Sequence, residues 1–108
     1  MNTAHAHYTT LSEAIEGSKA KGYNLDFDVK SEGKMEALNK PLNFEPDEVI
    51  IDEIHRFEGM TDPGDTSILY VLRTHSGAKG TMVDAYGADG FDLKAKFLEG
   101  AVKKYNQQ

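Results

Sequence analysis

The chain of 108 residues fits one domain rather than two, and five Phe and five Tyr within a 39% apolar composition are enough for one core without covalent staples. It contains no cysteine, which excludes disulfides, thiolate catalysis and cysteine-ligated zinc or iron–sulfur centres. A formal charge of −6 makes nucleic acid and anionic membranes poor partners, and no apolar run approaches the roughly 20 residues that cross a bilayer.

Residues 1–7 read as a tail. Within it His5 and His7 form a His-x-His pair with nothing nearby to complete a metal site. The start has neither a basic region nor an apolar stretch, so a soluble cytoplasmic protein is expected. A first helix should begin at Thr10, because Thr10-Leu11-Ser12-Glu13 matches a capping box. Leu11, Ala14, Ile15 and Ser18 share one face at helical spacing, and Gly22 suits a left-handed terminator. Leu25, Phe27 and Val29 then alternate with Asp26, Asp28 and Lys30, as in a strand with one wet face. Met35, Ala37 and Leu38 fit a second short strand after the turn Ser31-Glu32-Gly33-Lys34. Pro41 and Pro46 prevent any long regular element in the region that follows.

Three strand-like runs come next: residues 49–58, 67–74 and 79–86. Short, turn-rich connections make them antiparallel neighbours. The first carries Val49, Ile51 and Phe57 in one phase, with Ile50 and Ile54 in the other. The second, Ser67-Ile68-Leu69-Tyr70-Val71-Leu72-Arg73-Thr74, is apolar in both phases and is the best candidate for a central strand. A hairpin loop, His75-Ser76-Gly77-Ala78, leads into the third. The last element is a second helix near Phe91-Asp92, capped by Asp89 or Asp92. Its apolar stripe would run through Leu93, Phe97, Leu98, Ala101, Val102 and Tyr105. No strand–helix–strand unit is visible, so the expected fold is α+β in one domain, residues 1–108. The expectation is an antiparallel sheet of four to five strands, with the N-terminal and C-terminal helices packed on one face.

Charge is uneven. Residues 45–65 carry eight carboxylates and one cation, Arg56, a local charge of −7, whereas the rest of the chain sums to +1. Such a segment suits a solvated strand and turn, or a basic protein partner. Within it, Asp62-Pro63-Gly64-Asp65 is a strong signal for a type II turn. Glu58, Asp62 and Asp65 place three carboxylates within eight residues, oxygen donors of the kind Ca²⁺ or Mg²⁺ takes, although the spacing is not that of an EF-hand loop.

Strand periodicity puts Glu53, His55 and Phe57 on one face of their strand, with Arg56 and Glu58 opposed to them. His55 with Glu53, or with Asp84 from a neighbouring strand, would make an acid–base pair, while cross-strand charge pairing on a wet face explains the same residues without chemistry. Tyr70, Tyr86, Arg56 and Arg73 are residue types favoured in an anion or peptide groove. The chain has neither GxxxxGK[ST] nor GxGxxG nor GxSxG. No cofactor and no metal is assigned.

The stretch His55-Arg56-Phe57-Glu58-Gly59-Met60-Thr61-Asp62-Pro63-Gly64-Asp65, with Ile68-Leu69-Tyr70, Lys79-Gly80 and Val83-Asp84-Ala85-Tyr86-Gly87, resembles a family of small uncharacterised bacterial proteins of about this length. Lys21-Gly22-Tyr23 and Phe27 extend the resemblance over most of the chain. Some members carry the label phosphoribosylpyrophosphate synthetase. The resemblance implies no activity, substrate or cofactor. The label has a counterpart in Val49-Ile50-Ile51-Asp52-Glu53 with Gly59 and Thr61, which imitate a phosphoribosyl-diphosphate loop. However, Arg56-Phe57-Glu58 stand where small residues would cradle a phosphate, and a synthetase of that kind needs two α/β domains.

The sequence therefore reads as a non-catalytic binding or regulatory module that self-associates as a homodimer. Its candidate ligand-binding residues are His55, Arg56, Glu58, Asp62, Asp65 and Tyr86. The alternative is a small-molecule or divalent-metal-dependent enzyme built on His55, Glu58, Asp62 and Asp65.

Overall fold

In the computed structural model, which describes residues 10–31, 33–38, 40–57, 66–85 and 91–103, helix α1 (Leu11–Ala20) starts where the capping signal falls. The Thr10 hydroxyl accepts from the Glu13 amide at 3.1 Å. The helix ends by reversing at Gly22, whose φ of 101° is open to a residue without Cβ. The amides of Gly22 and Tyr23 return to the carbonyls of Lys19 and Ser18, both at 3.0 Å, a Schellman arrangement that fixes where Tyr23 leaves the helix.

Among the described residues, seven strands follow in one sheet: β1 (Leu25–Ser31), β2 (Lys34–Ala37), β3 (Leu42–Phe44), β4 (Val49–Phe57), β5 (Ser67–Thr74), β6 (Lys79–Ala85) and β7 (Val102–Lys103). A 3-10 turn at Pro46–Glu48 leads into β4, and helix α2 (Phe91–Glu99) lies between β6 and β7. The spatial order is β3-β2-β1-β6-β5-β4-β7, and the sheet curls into a half-barrel. Strands β4, β5 and β6 form the antiparallel meander that their short connections require, with β5 interior.

The sheet is mixed, not the antiparallel sheet of four to five strands expected from the sequence. Strand β1 pairs in parallel with β6, and β7 pairs in parallel with β4. The second pairing is a strand–helix–strand crossover from β6 through α2 to β7. It is hidden in the sequence because Val102 continues the apolar period of the helix. The helix stops at Glu99 because Gly100 packs on the 3-10 turn, where a Cβ would come within 2.9 Å of Pro46 Cβ. Residues 102 and 103 then extend along Ile50 and Ile51.

The helices also do not share a face. On β5, Leu72 joins Phe97, Leu98, Met82, Ile51, Phe27 and Val29 in the main core, inside the curl and beneath α2. Its neighbours Leu69 and Val71 instead pack with Ala14, Leu11 and Ile15 of α1 on the outer face. A strand apolar in both phases must be covered on both sides, so the two helices take opposite faces of the sheet.

Candidate functional site

Strand β4 contains a bulge. Ile51 lies opposite Leu72 and Glu53 opposite Val71, which leaves Asp52 as an extra residue. The bulge reverses the alternation. Val49 and Ile51 belong to the inner core, whereas Asp52, Glu53, His55 and Phe57 meet the outer face that α1 covers.

Asp52 is the centre of the polar groups on that face. Its carboxylate accepts the Tyr23 hydroxyl at 2.8 Å and the Arg73 Nε at 2.9 and 3.0 Å. The Schellman turn of α1 sets the Tyr23 ring in place, with Lys79 Nζ 4.5 Å from the ring centroid and donating at 3.3 Å to the Lys21 carbonyl. Glu53 is held from both sides, by Lys21 Nζ at 3.1 Å and by His55 Nε2 at 2.7 Å. The result is a row of alternating charges between the end of α1 and strands β4, β5 and β6.

Electrostatics follow from these partners. Burial, with the Asp52 hydrogen bond and charge next, pushes the Tyr23 phenol up to about 12. The hydrogen bond from His55, reinforced by Lys21, holds the Glu53 carboxyl below its ordinary value against the opposing effect of burial. A lowered carboxyl contributes stability above its unfolded value, near 4.5, and that contribution disappears as pH falls through the lowered value. Glu53→Gln is thus expected to cost under about 1 kcal/mol at neutral pH, since the pair is partly exposed. Urea midpoints of variant and parent should converge in acid; a difference that persists there would refute the assignment.

Of the residues singled out in the sequence, His55 and Glu53 do meet. Arg56 lies opposite Ile68 on the inner face, away from His55. Asp84 also lies opposite Ile68 on that face, so the alternative pairing of His55 with Asp84 does not form. The proposed groove is divided as well: Tyr70 and Arg56 are on the inner face, and Arg73 is on the outer face bound to Asp52. Glu58, Asp62, Asp65 and Tyr86 lie outside the described residues, as does the Asp62-Pro63-Gly64-Asp65 turn. Among the described residues no three His, Asp or Glu side chains converge as metal ligands.

Sequence reasoning missed Tyr23, Asp52 and Lys79. The bulge had a signal: two carboxylates in succession, Asp52-Glu53, between Ile51 and Ile54 break a period of two. Comparison of the chain with known protein families, with curated proteins and with solved structures gives no match.

Proposed function

We propose that the chain is a non-catalytic binding module that self-associates through the inner face of its sheet. The observation that carries the first half is the direction in which the polar row tunes its own members. A general acid or base works best when its pKa approaches the operating pH. Here the Tyr23 phenol is raised to about 12 and the Glu53 carboxyl is lowered, so both are held further from neutrality than the free side chains. The row joins α1 to the sheet, and neither Tyr23 nor Glu53 is poised to transfer a proton near neutral pH.

The open part of the inner face supports the second half. Ile54 is 37% exposed, and Tyr70 lies directly opposite it, with Arg56 and Ile68 forming the next pair along β4 and β5. Aromatic, arginine and aliphatic side chains side by side are the composition of interface cores. The sheet margins are short, three residues in β3 and two in β7, and β3 is preceded by Pro41, so face packing is favoured over edge-to-edge pairing.

Sedimentation velocity tests this reading. The parent protein should gain mass with concentration, and Ile54→Lys should remain monomeric with its thermal midpoint little changed, since Ile54 is on the surface. A parent that stays monomeric at high micromolar concentration defeats the self-association. The 2.7 Å contact between His55 and Glu53 favours a second reading, an enzyme built on His55, Glu58, Asp62 and Asp65. Calorimetric heat with Mg²⁺ or Ca²⁺ that is lost in Asp62→Asn would support that reading.

A further inference from the structure

The least compensated polar group among the described residues is Asp84 of β6. It is 1% exposed, and its Oδ2 has no hydrogen-bond partner among the described residues. Its Oδ1 accepts the Ala85 amide at 3.0 Å. The nearest cation, Lys94 of α2, stands 3.8 Å from Oδ1, too far for a hydrogen bond, and gives its own bond to the Val83 carbonyl at 3.1 Å. Lys94 is also drawn by Asp28 of β1, 3.6 Å away. One ammonium is thus shared between two carboxylates, and the buried one receives the weaker contact.

A buried carboxylate with an orphan oxygen costs free energy that the surrounding fold must offset. The element placed to relieve this cost is α2. It supplies the covering lysine, it packs across β1 and β6, and at nine residues it is too short to be stable except through tertiary contacts. Swinging α2 away would let water reach Asp84.

We propose that Asp84 is a pH-sensitive spring beneath α2, its ionised carboxylate favouring release of the helix from the inner face of the sheet. The sign follows from linkage. Burial makes the carboxyl harder to ionise with the helix closed, while Lys94 and the Ala85 amide only partly oppose that effect and Asp28 adds to it. The closed state therefore binds the proton more tightly, and rising pH above the ordinary aspartate value of 3.8 draws the equilibrium toward the open state. The charged or titratable groups facing Asp84 are Lys94 from α2 and Asp28 from β1, with Tyr70 of β5 and Arg56 of β4 further along the same face. Release of α2 would extend the inner face beyond Ile54 and Tyr70, so pH would control how much apolar surface the protein presents. The device does not depend on what that face binds.

Hydrogen exchange of the intact chain tests it. Protection of α2 amides, corrected for intrinsic exchange and referred to β5 amides, is expected to fall as pH rises from roughly 4 to 8, because the closed state binds the Asp84 proton more tightly. Asp84→Asn should keep the high protection at every pH. Lys94→Met removes the shared cation and should steepen the fall. The Asp84 carboxyl carbon, followed by NMR, should titrate above the ordinary aspartate range. Protection of α2 that tracks β5 at every pH in both parent and Asp84→Asn would overturn the proposal, as would an Asp84 that titrates at or below its ordinary value.

Discussion

Gly80→Ala is expected to lower the unfolding free energy by about 3 kcal/mol or more, near the upper end of the cost of overpacking. Gly80 lies in β6 opposite Leu25 of β1, at the point where the two strands run in parallel. A methyl group built there would come within 2.3 Å of the Leu25 carbonyl oxygen and 2.8 Å of its Cβ. Backbone cannot move aside as the end of a flexible side chain can, so relief requires β1 to separate from β6. That junction joins the β1-β2-β3 part of the sheet to the β4-β5-β6 meander. The urea midpoint should fall and the amides of β1 should lose exchange protection before those of β5. A variant with an unchanged midpoint would show that the strands do not approach closely at this position.

Phe97→Ala is expected to cost about 3–5 kcal/mol, the range for emptying a buried phenylalanine site. Phe97 is 3% exposed and belongs to the core formed with Phe27, Leu72 and Met82. Apart from the cavity, the substitution acts on the crossover. Strand β7 follows α2 after Gly100 and Ala101 and, among the described residues, pairs with β4 through Val102 and Lys103. When α2 loses its anchor, Val102 and Lys103 should lose their protection with it. Ala14 and the α1 contacts lie on the other face and should be retained until global unfolding. If β7 protection survives while the midpoint falls, the strand is held independently of the helix.

The two faces of the sheet differ in how far their residues could be read in advance. The α1 boundaries follow from local rules, since Thr10 and Gly22 act on backbone groups within a few residues of themselves. The His55–Glu53 contact was also legible, because residues two apart on a strand share a face whatever the rest of the chain does. Asp52 was not. Its role depends on a one-residue bulge, which is set by the partner strand and displaces all later side chains of β4 by one phase. Arg73 and Tyr70 looked like members of one groove, but they occupy opposite faces, because their separation of three residues is odd in a strand. The C-terminal stripe misled for a related reason: apolar residues 101 and 102 satisfy a helical period and also a buried strand end, and Pro46 against Gly100 selects between them.

What the amino-acid order determined alone was local: the caps, the hairpin-linked strands from 49 to 85, the double-sided burial of β5, and an acidic segment without catalytic motifs. Tertiary structure decided the parallel pairings, the helix on each face, and the neutralisation of Asp52 by Arg73 and of Glu53 by Lys21. The division has a physical cause. Capping, turn formation and strand alternation are interactions over a few bonds or a few residues. Parallel pairing and bulge placement instead bring together groups 20 to 60 residues apart, such as Leu25 with Gly80 and Asp52 with Arg73, and their free energies exist only once the sheet has closed around a shared core.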